Sequence, residues 1–312
     1  MFCIIAFVVL SILGIFSASN RALAKEALDC VFRRFTLRPC NTGFDEKMKA
    51  KILGSVITRS ETAARVINKN FELLSWTFFV LMLASSIWTA RGLFMFYTTG
   101  SCNGLNDAAF CVFDPTGSNS TVSTVSSTCK VHPTTVKDLS YKTVDLSLFP
   151  EQNPGGSKKI VMVGCYACDY TRKAYPMVLK LVDQFKVDFY FLHYPVKESG
   201  DLSSSAAYCT YQANPAKYWQ LNEILFTTDK ANLAVEDFYQ KTFTSLGLDA
   251  AALKTCMADP NTATAVQKQL SNVAKTKFFG TPTVFINDQV LVGPKPFRVY
   301  AIMLEGLFYW LK

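Results

Sequence analysis

Two cysteines set two residues apart at a strand-to-helix turn constrain this chain more than any other feature. Residues 158–164 (Lys-Lys-Ile-Val-Met-Val-Gly) are apolar and β-branched, the pattern of a buried strand. Cys165-Tyr166-Ala167-Cys168 follows, and then Asp169-Tyr-Thr-Arg-Lys-Ala-Tyr175, which reads as a helix. This predicts Cys165 at the helix N-terminus, where unpaired N–H groups and the macrodipole favour an anion. A thiolate is an anion, so Cys165 is expected to have a lowered pKa and to attack. Cys168, one turn into the helix, is then the shielded thiol that closes the disulfide. A four-ligand zinc site needs a second ligand pair. The chain has a single CxxC, and its two histidines, His132 and His193, stand far apart. A purely structural bridge over so short a loop would contribute little. No metal and no cofactor are expected.

A second segment narrows the fold. Residues 278–287 read Phe-Phe-Gly-Thr-Pro-Thr-Val-Phe-Ile-Asn, and Asp288-Gln-Val-Leu-Val-Gly293 and a final helical run follow. With Cys165 and Cys168, the Gly-Thr-Pro before a strand resembles the thioredoxin superfamily. Within it the chain is similar to the membrane-anchored DsbA-like thiol–disulfide oxidoreductases. The resemblance covers about residues 135–312. It implies an α/β thioredoxin-like fold with a helical insertion, here about residues 202–275. It also implies a cis Thr281–Pro282 bond beside the cysteines. An X–Pro bond adopts cis at modest cost. Pro282 has no N–H, so the backbone of Thr281 can face an incoming extended peptide. Thr281, Pro282 and Tyr166 are the expected client-binding residues.

The dipeptide Tyr166-Ala167 departs from that family, whose strong oxidases commonly carry Pro-His; thioredoxin-type reductases carry Gly-Pro. Tyr166 supplies no cation to hold a thiolate, and Asp169 places a negative charge nearby. The direction of catalysis stays open on these residues. His193 is expected to be a strand residue packed near the insertion. Cys209 and Cys256 fall in separate helices of the insertion and are expected to form a structural disulfide; two buried thiols are the alternative.

The rest of the chain places this domain. Half of the residues are hydrophobic, and two uncharged segments, 1–19 and 73–90, carry the excess. Each is near the length that crosses a bilayer. The alternative for the first is a cleaved signal peptide, but its positive charges follow the apolar run instead of preceding it. Trp76 and Trp88 suit interfacial anchors of the second. The expected division is a span at 1–19, a basic loop at 20–72, a span at 73–97, a Cys-containing Ser/Thr-rich segment at 98–135 and the thioredoxin-like domain at 136–312. The loop holds eleven Lys and Arg against six acids, which places it in the cytoplasm and the catalytic domain outside. It accounts for most of the net charge of +8. No basic stripe interleaved with aromatics points to nucleic acid.

Ten cysteines suit an oxidising compartment on that outer side. Cys3, Cys30 and Cys40 are expected to stay reduced. Residues 98–135 read as a linker or exposed loop with one local disulfide; Cys102–Cys111 is favoured by proximity, and Cys129 is the odd one. Asn119-Ser-Thr121 is a glycosylation sequon. Residues 141–146 are expected to add an outer strand.

The reading that follows is a membrane-tethered, extracytoplasmic thiol–disulfide oxidoreductase. It acts on client proteins with cysteines, favours disulfide formation, and calls for a quinone-linked re-oxidation partner. The rival from another class is a non-enzymatic binding module or a Cu(I)-handling protein that uses both sulfurs as soft ligands.

Overall fold

The structure is a computed structural model. It describes residues 18–35, 50, 53–54, 56–58, 60–107, 109–124, 136–197 and 202–311. The chain divides into two compact units, residues 1–91 and 92–312.

The first unit contains helices α1 (Ala18–Phe35) and α2 (Glu61–Lys69) and the start of α3 (Phe71–Thr99). Arg65–Glu61 is an exposed i,i+4 pair at 2.9 Å on α2. Within α3, residues Trp76–Thr99 are long and apolar enough to cross a membrane. Phe78, Leu81, Ile87 and Trp88 on it are exposed. The helix continues past Arg91 because residues 92–97 (Gly-Leu-Phe-Met-Phe-Tyr) stay apolar. Trp88 therefore falls within the run and not at its end. It is the one such helix among the described residues; the span expected at 1–19 lies outside them except for its last two positions.

The second unit is built on a five-stranded sheet. Its strands are β2 (Glu151–Gln152), β3 (Lys159–Gly164), β4 (Asp188–His193), β6 (Thr283–Ile286) and β7 (Gln289–Val292), in the order β2-β4-β3-β6-β7. Strand β3 pairs parallel with β4 and antiparallel with β6. The crossover from β3 to β4 is helix α4 (Asp169–Phe185). Ile160, Val161, Met162 and Val163 are fully buried, because the central strand is covered on both faces. The pleat sends Ile160 and Met162 into one apolar layer with Phe189, Phe191 and Val284. Val161 and Val163 enter the other with Leu192, Phe285 and Val273.

Residues 141–146 do not form the expected outer strand. The chain there makes two 3-10 turns, Val136–Asp138 and Leu146–Leu148, and Asp145 caps the second by accepting from Ser147 N. The sheet edge is instead β2, antiparallel to β4 with Glu151 opposite Tyr190.

Between β4 and β5 (Gly280–Thr281) the helical insertion holds α5 (Leu202–Ala213), α6 (Pro215–Thr227), α7 (Glu236–Ser245), α8 (Ala250–Ala258) and α9 (Pro260–Ala274). Asn214, Asp249 and Asp259 cap α6, α8 and α9 by accepting backbone N–H bonds, and a proline opens α6 and α9. Cys209 of α5 and Cys256 of α8 are joined, with S–S 1.98 Å and Cα atoms 6.0 Å apart. Helix α10 (Phe297–Glu305) closes the core, and Lys158 Nζ meets Glu305 Oε1 at 2.6 Å.

The segment before the domain is not a plain linker. Cys102 and Cys111 are bonded at 2.00 Å. Asn106 brackets β7, accepting from Val292 N at 2.6 Å and donating to Val290 O at 2.7 Å. Asn119 of the sequon donates Nδ2 to Gly100 O at 3.0 Å. The segment ends in a short strand, β1 (Ser123–Thr124), which pairs antiparallel with β5. Cys129 lies outside the described residues.

Candidate active site

Strand β3 runs to Gly164, and the chain needs Cys165, Tyr166 and Ala167 to make the turn into α4. Cys168 N donates to Cys165 O at 3.2 Å across that turn, and Arg172 N donates to Cys168 O at 2.9 Å to begin the helix. Cys168 is therefore the N-cap of α4. Cys165, expected at that position, sits three residues upstream at the end of β3. It is fully buried within the apolar cluster. Neither thiol is disulfide-bonded.

Cys168 faces an open cleft of about 290 Å³, lined among others by Ser123, Ala167, Asp169, Lys197 and Lys230. Its Sγ donates to Ser123 Oγ at 3.0 Å and to Thr281 O at 3.4 Å. The Thr281–Pro282 bond is cis. Burial pushes the Cys168 thiol up, but hydrogen bonds with Ser123, Thr171 and Thr281 outweigh it and hold the thiol below its ordinary value. Thr171 stands one helical turn on, fully buried, and its Oγ1 accepts from Cys165 N at 3.4 Å. Gly164 makes room for it: a Cβ there would stand 2.7 Å from Thr171 Cγ2 and 2.8 Å from Phe191. The N-cap position of α4 thus belongs to the second cysteine of the motif.

Tyr166, expected among the client-binding residues, points into the core. It is fully buried, stacked on His193 at 4.3 Å and packed on Phe226 at 4.8 Å. Its hydroxyl donates to Asn222 Oδ1 at 2.6 Å. The apolar turn between β3 and α4 folds inward, and a large aromatic there is worth more in the core than on the surface. His193 packs near the insertion, 3.4 Å from Ser203 Oγ through Nε2. Asp169 is paired with Lys230 at 2.5 Å on the cleft rim, which offsets its charge beside Cys168.

Ser123, Arg172 and Asn222 escaped the sequence reading. Arg172 ties the motif to the insertion: it donates to Tyr166 O at 2.6 Å, Thr228 O at 2.5 Å and Leu225 O at 3.2 Å. The last two are carbonyls at the end of α6, where a cation is favoured. An arginine in the first turn after a CxxC was the available signal. Ser123 gave none, being one of many serines in its segment. Among the described residues no cluster of three or more His, Cys, Asp or Glu could hold a metal.

The fold and the paired thiols beside a cis-proline define a thioredoxin-like domain. Residues 153–304 match the family model described as Thioredoxin. No curated protein matches the chain. Among solved structures, it is similar to the thiol-disulfide exchange protein alpha-DsbA2 from Wolbachia pipientis, with TM-score 0.47, 18% identity, and 52% of this chain and 88% of that one covered. A thioredoxin-like oxidoreductase from Silicibacter pomeroyi DSS-3 gives 0.46, 24%, 55% and 96%. Oxidised BdbD from Bacillus subtilis gives 0.43, 20%, 51% and 90%.

Proposed function

We propose that this chain is a membrane-tethered thiol–disulfide oxidoreductase whose client-facing thiol is Cys168. The observation that carries the reading is the position of Cys168: N-cap of α4, on an open cleft, with Sγ 3.4 Å from the Thr281 carbonyl. In the oxidising direction a client thiolate attacks the Cys168 sulfur of a Cys165–Cys168 disulfide, and Cys165 leaves as thiolate. The client's second thiolate then attacks its own sulfur in the mixed disulfide and releases Cys168. Two electrons pass from the client to the pair. A thiol held below its ordinary pKa stabilises the reduced pair, so the disulfide is the better oxidant. This favours disulfide formation over reduction.

Thr281 and Pro282 present the backbone edge that aligns the client. Helix residues Trp76–Thr99 serve as the tether, and the basic loop before it supports an extracytoplasmic domain. The Cys102–Cys111 and Cys209–Cys256 bridges suit that compartment. An oxidase must be re-oxidised, and a quinone-linked membrane partner fits that need.

The test uses full-length protein and a reduced client with two cysteines. Cys168→Ser is expected to abolish turnover; in Cys165→Ser, given the client as its disulfide, Cys168 thiolate attacks one client sulfur, releases the other as thiolate and holds the client as a mixed disulfide. Trapping on Cys165 in a Cys168→Ser variant would restore the order expected from the sequence. A dithiol that binds Cu(I) stoichiometrically but never exchanges with a disulfide would replace the enzyme with a metal-handling protein.

A further inference from the structure

The backbone edge beside Cys168 is already occupied by the chain itself. Strand β1 lies antiparallel on β5, with Ser123 opposite Thr281 and Thr124 opposite Gly280. These are the two residues that precede the cis bond. The pairing places Ser123 Oγ 3.0 Å from Cys168 Sγ, and Thr281 and Cys168 are almost wholly covered.

The domain is shaped to take this strand. A Cβ on Gly280 would stand 2.5 Å from Val122 Cγ2 and 2.8 Å from Ser123 O. A Cβ on Gly293, at φ +81°, would stand 2.8 Å from Ser120 C. Two glycines thus clear a path along which residues 120–123 cross. Lys295, buried itself, donates Nζ to Ser120 Oγ at 3.2 Å. Asp114 holds the approach by accepting from Ser118 N at 3.2 Å and Asn119 N at 3.1 Å.

Serine differs from cysteine by oxygen in place of sulfur. Ser123 can therefore hydrogen-bond to Cys168 but cannot form a disulfide with it. We propose that residues 122–124 are a built-in occupant of the client site, with Ser123 standing where a client's cysteine would stand. This rests on the client-binding role given above to Cys168 and Thr281. It assigns the ligand class: an extended peptide that pairs antiparallel with Gly280–Thr281 and carries cysteine between two β-branched residues, as Val122 and Thr124 flank Ser123. It also assigns a cost to entry, because a client must lift the strand.

The experiment uses the full-length chain in detergent, in a Cys165→Ala background that leaves Cys168 alone in the motif, with oxidised glutathione as the probe. In the parent, Cys168 thiolate attacks glutathione disulfide, takes up one glutathione and releases the other as thiolate. In the Ser123→Cys variant the new thiolate at position 123 then attacks the Cys168 sulfur and releases the second glutathione. The net change is two protein thiols oxidised and one glutathione disulfide reduced. Peptide mapping is expected to find a disulfide between position 123 and Cys168 in place of the glutathione adduct. Retention of the adduct in Ser123→Cys, as in the parent, would overturn the proposal. In a second variant, Thr124→Pro removes an N–H from the exposed end of β1. It is expected to speed glutathione uptake by Cys168 about tenfold, the change an equilibrium shift of about 1.4 kcal/mol produces. An unchanged rate at a reactive Cys168 would also count against the occupant. If Cys168 stays inert in the parent and in both variants, the oxidoreductase reading falls and takes this inference with it.

Discussion

Ser123 Oγ and Cys168 Sγ lie 3.0 Å apart although 45 residues separate them in the chain. In the thiol the sulfur donates; in the thiolate the serine hydroxyl turns to donate to it. The hydroxyl is the first of the contacts that offset burial and hold the Cys168 pKa down. Ser123→Ala removes a donor to the charged form, so the pKa is expected to rise toward the ordinary thiol value. The rate of alkylation against pH, measured on the Cys165→Ala protein, should move its midpoint upward. The sign for stability follows. A depressed acid contributes stability above its unfolded pKa and loses it as pH falls through the folded value. The alanine variant should therefore lose reduced-state stability at alkaline pH and match the parent at acid pH. An unmoved alkylation midpoint would remove Ser123 from the account.

Asn222 is the junction of three buried tyrosines. It accepts from Tyr166 at 2.6 Å and from Tyr218 at 3.4 Å, and donates to Tyr175 at 2.7 Å. These residues come from the motif turn, α4 and α6. Asn222→Ala strips a partner from several hydroxyls that water cannot reach, at a cost of about 3 kcal/mol. Urea unfolding of the variant should show the midpoint falling with its slope unchanged. A loss below about 1 kcal/mol would mean that the tyrosines find other partners.

The parts of this molecule legible in the sequence are those whose pattern is local. β3 announced itself through the apolar, β-branched run Ile160–Val163. The position of the helix start was not local. The pattern allowed α4 to begin at Cys165, but the chain spends three residues on the turn, held by Arg172 on Tyr166 O. Arg172 also reaches Thr228 O and Leu225 O at the end of α6, and that link cannot be read from spacing. The same holds for β2, two polar residues that become a strand because Tyr190 and Phe189 offer an edge. Ser123 belongs to a Ser- and Thr-rich stretch with the composition of a linker; only pairing with Thr281 makes it part of the site.

The Cys209–Cys256 bridge closes a loop of 47 residues between α5 and α8. In the chain-entropy account a loop of that size restricts the unfolded state by about 4 kcal/mol. Cys209→Ala with Cys256→Ala should lower the denaturant midpoint by a corresponding amount, while Cys168 alkylates at its parent rate at temperatures where the variant stays folded. If Cys168 reactivity collapses while the fold persists, the bridge also shapes the cleft wall formed by Lys230 and Leu233.

Asp188 opens β4 at the base of the sheet, and its environment disfavours charge. Burial, then the neighbouring Glu151 carboxyl, push its pKa up to about 6, against the pull of Lys159. The Lys159 contact is long, 3.4 Å to Oδ2, and Oδ1 is buried without a hydrogen-bond partner. For an acid raised in the fold, the protonated form is the one the fold favours. Its stabilising share is complete below the unfolded pKa near 3.8 and is lost as pH rises through about 6. Asp188→Asn keeps the shape without the charge. It should stabilise the protein at pH 7 by on the order of 1 kcal/mol after allowance for solvent screening. Melting temperatures taken from pH 8 down to pH 4 should show the variant ahead above pH 6 and the gap closing below it. A gap that widens as pH falls would mean that the Lys159 pair outweighs burial, and that Asp188 is held ionised in the fold.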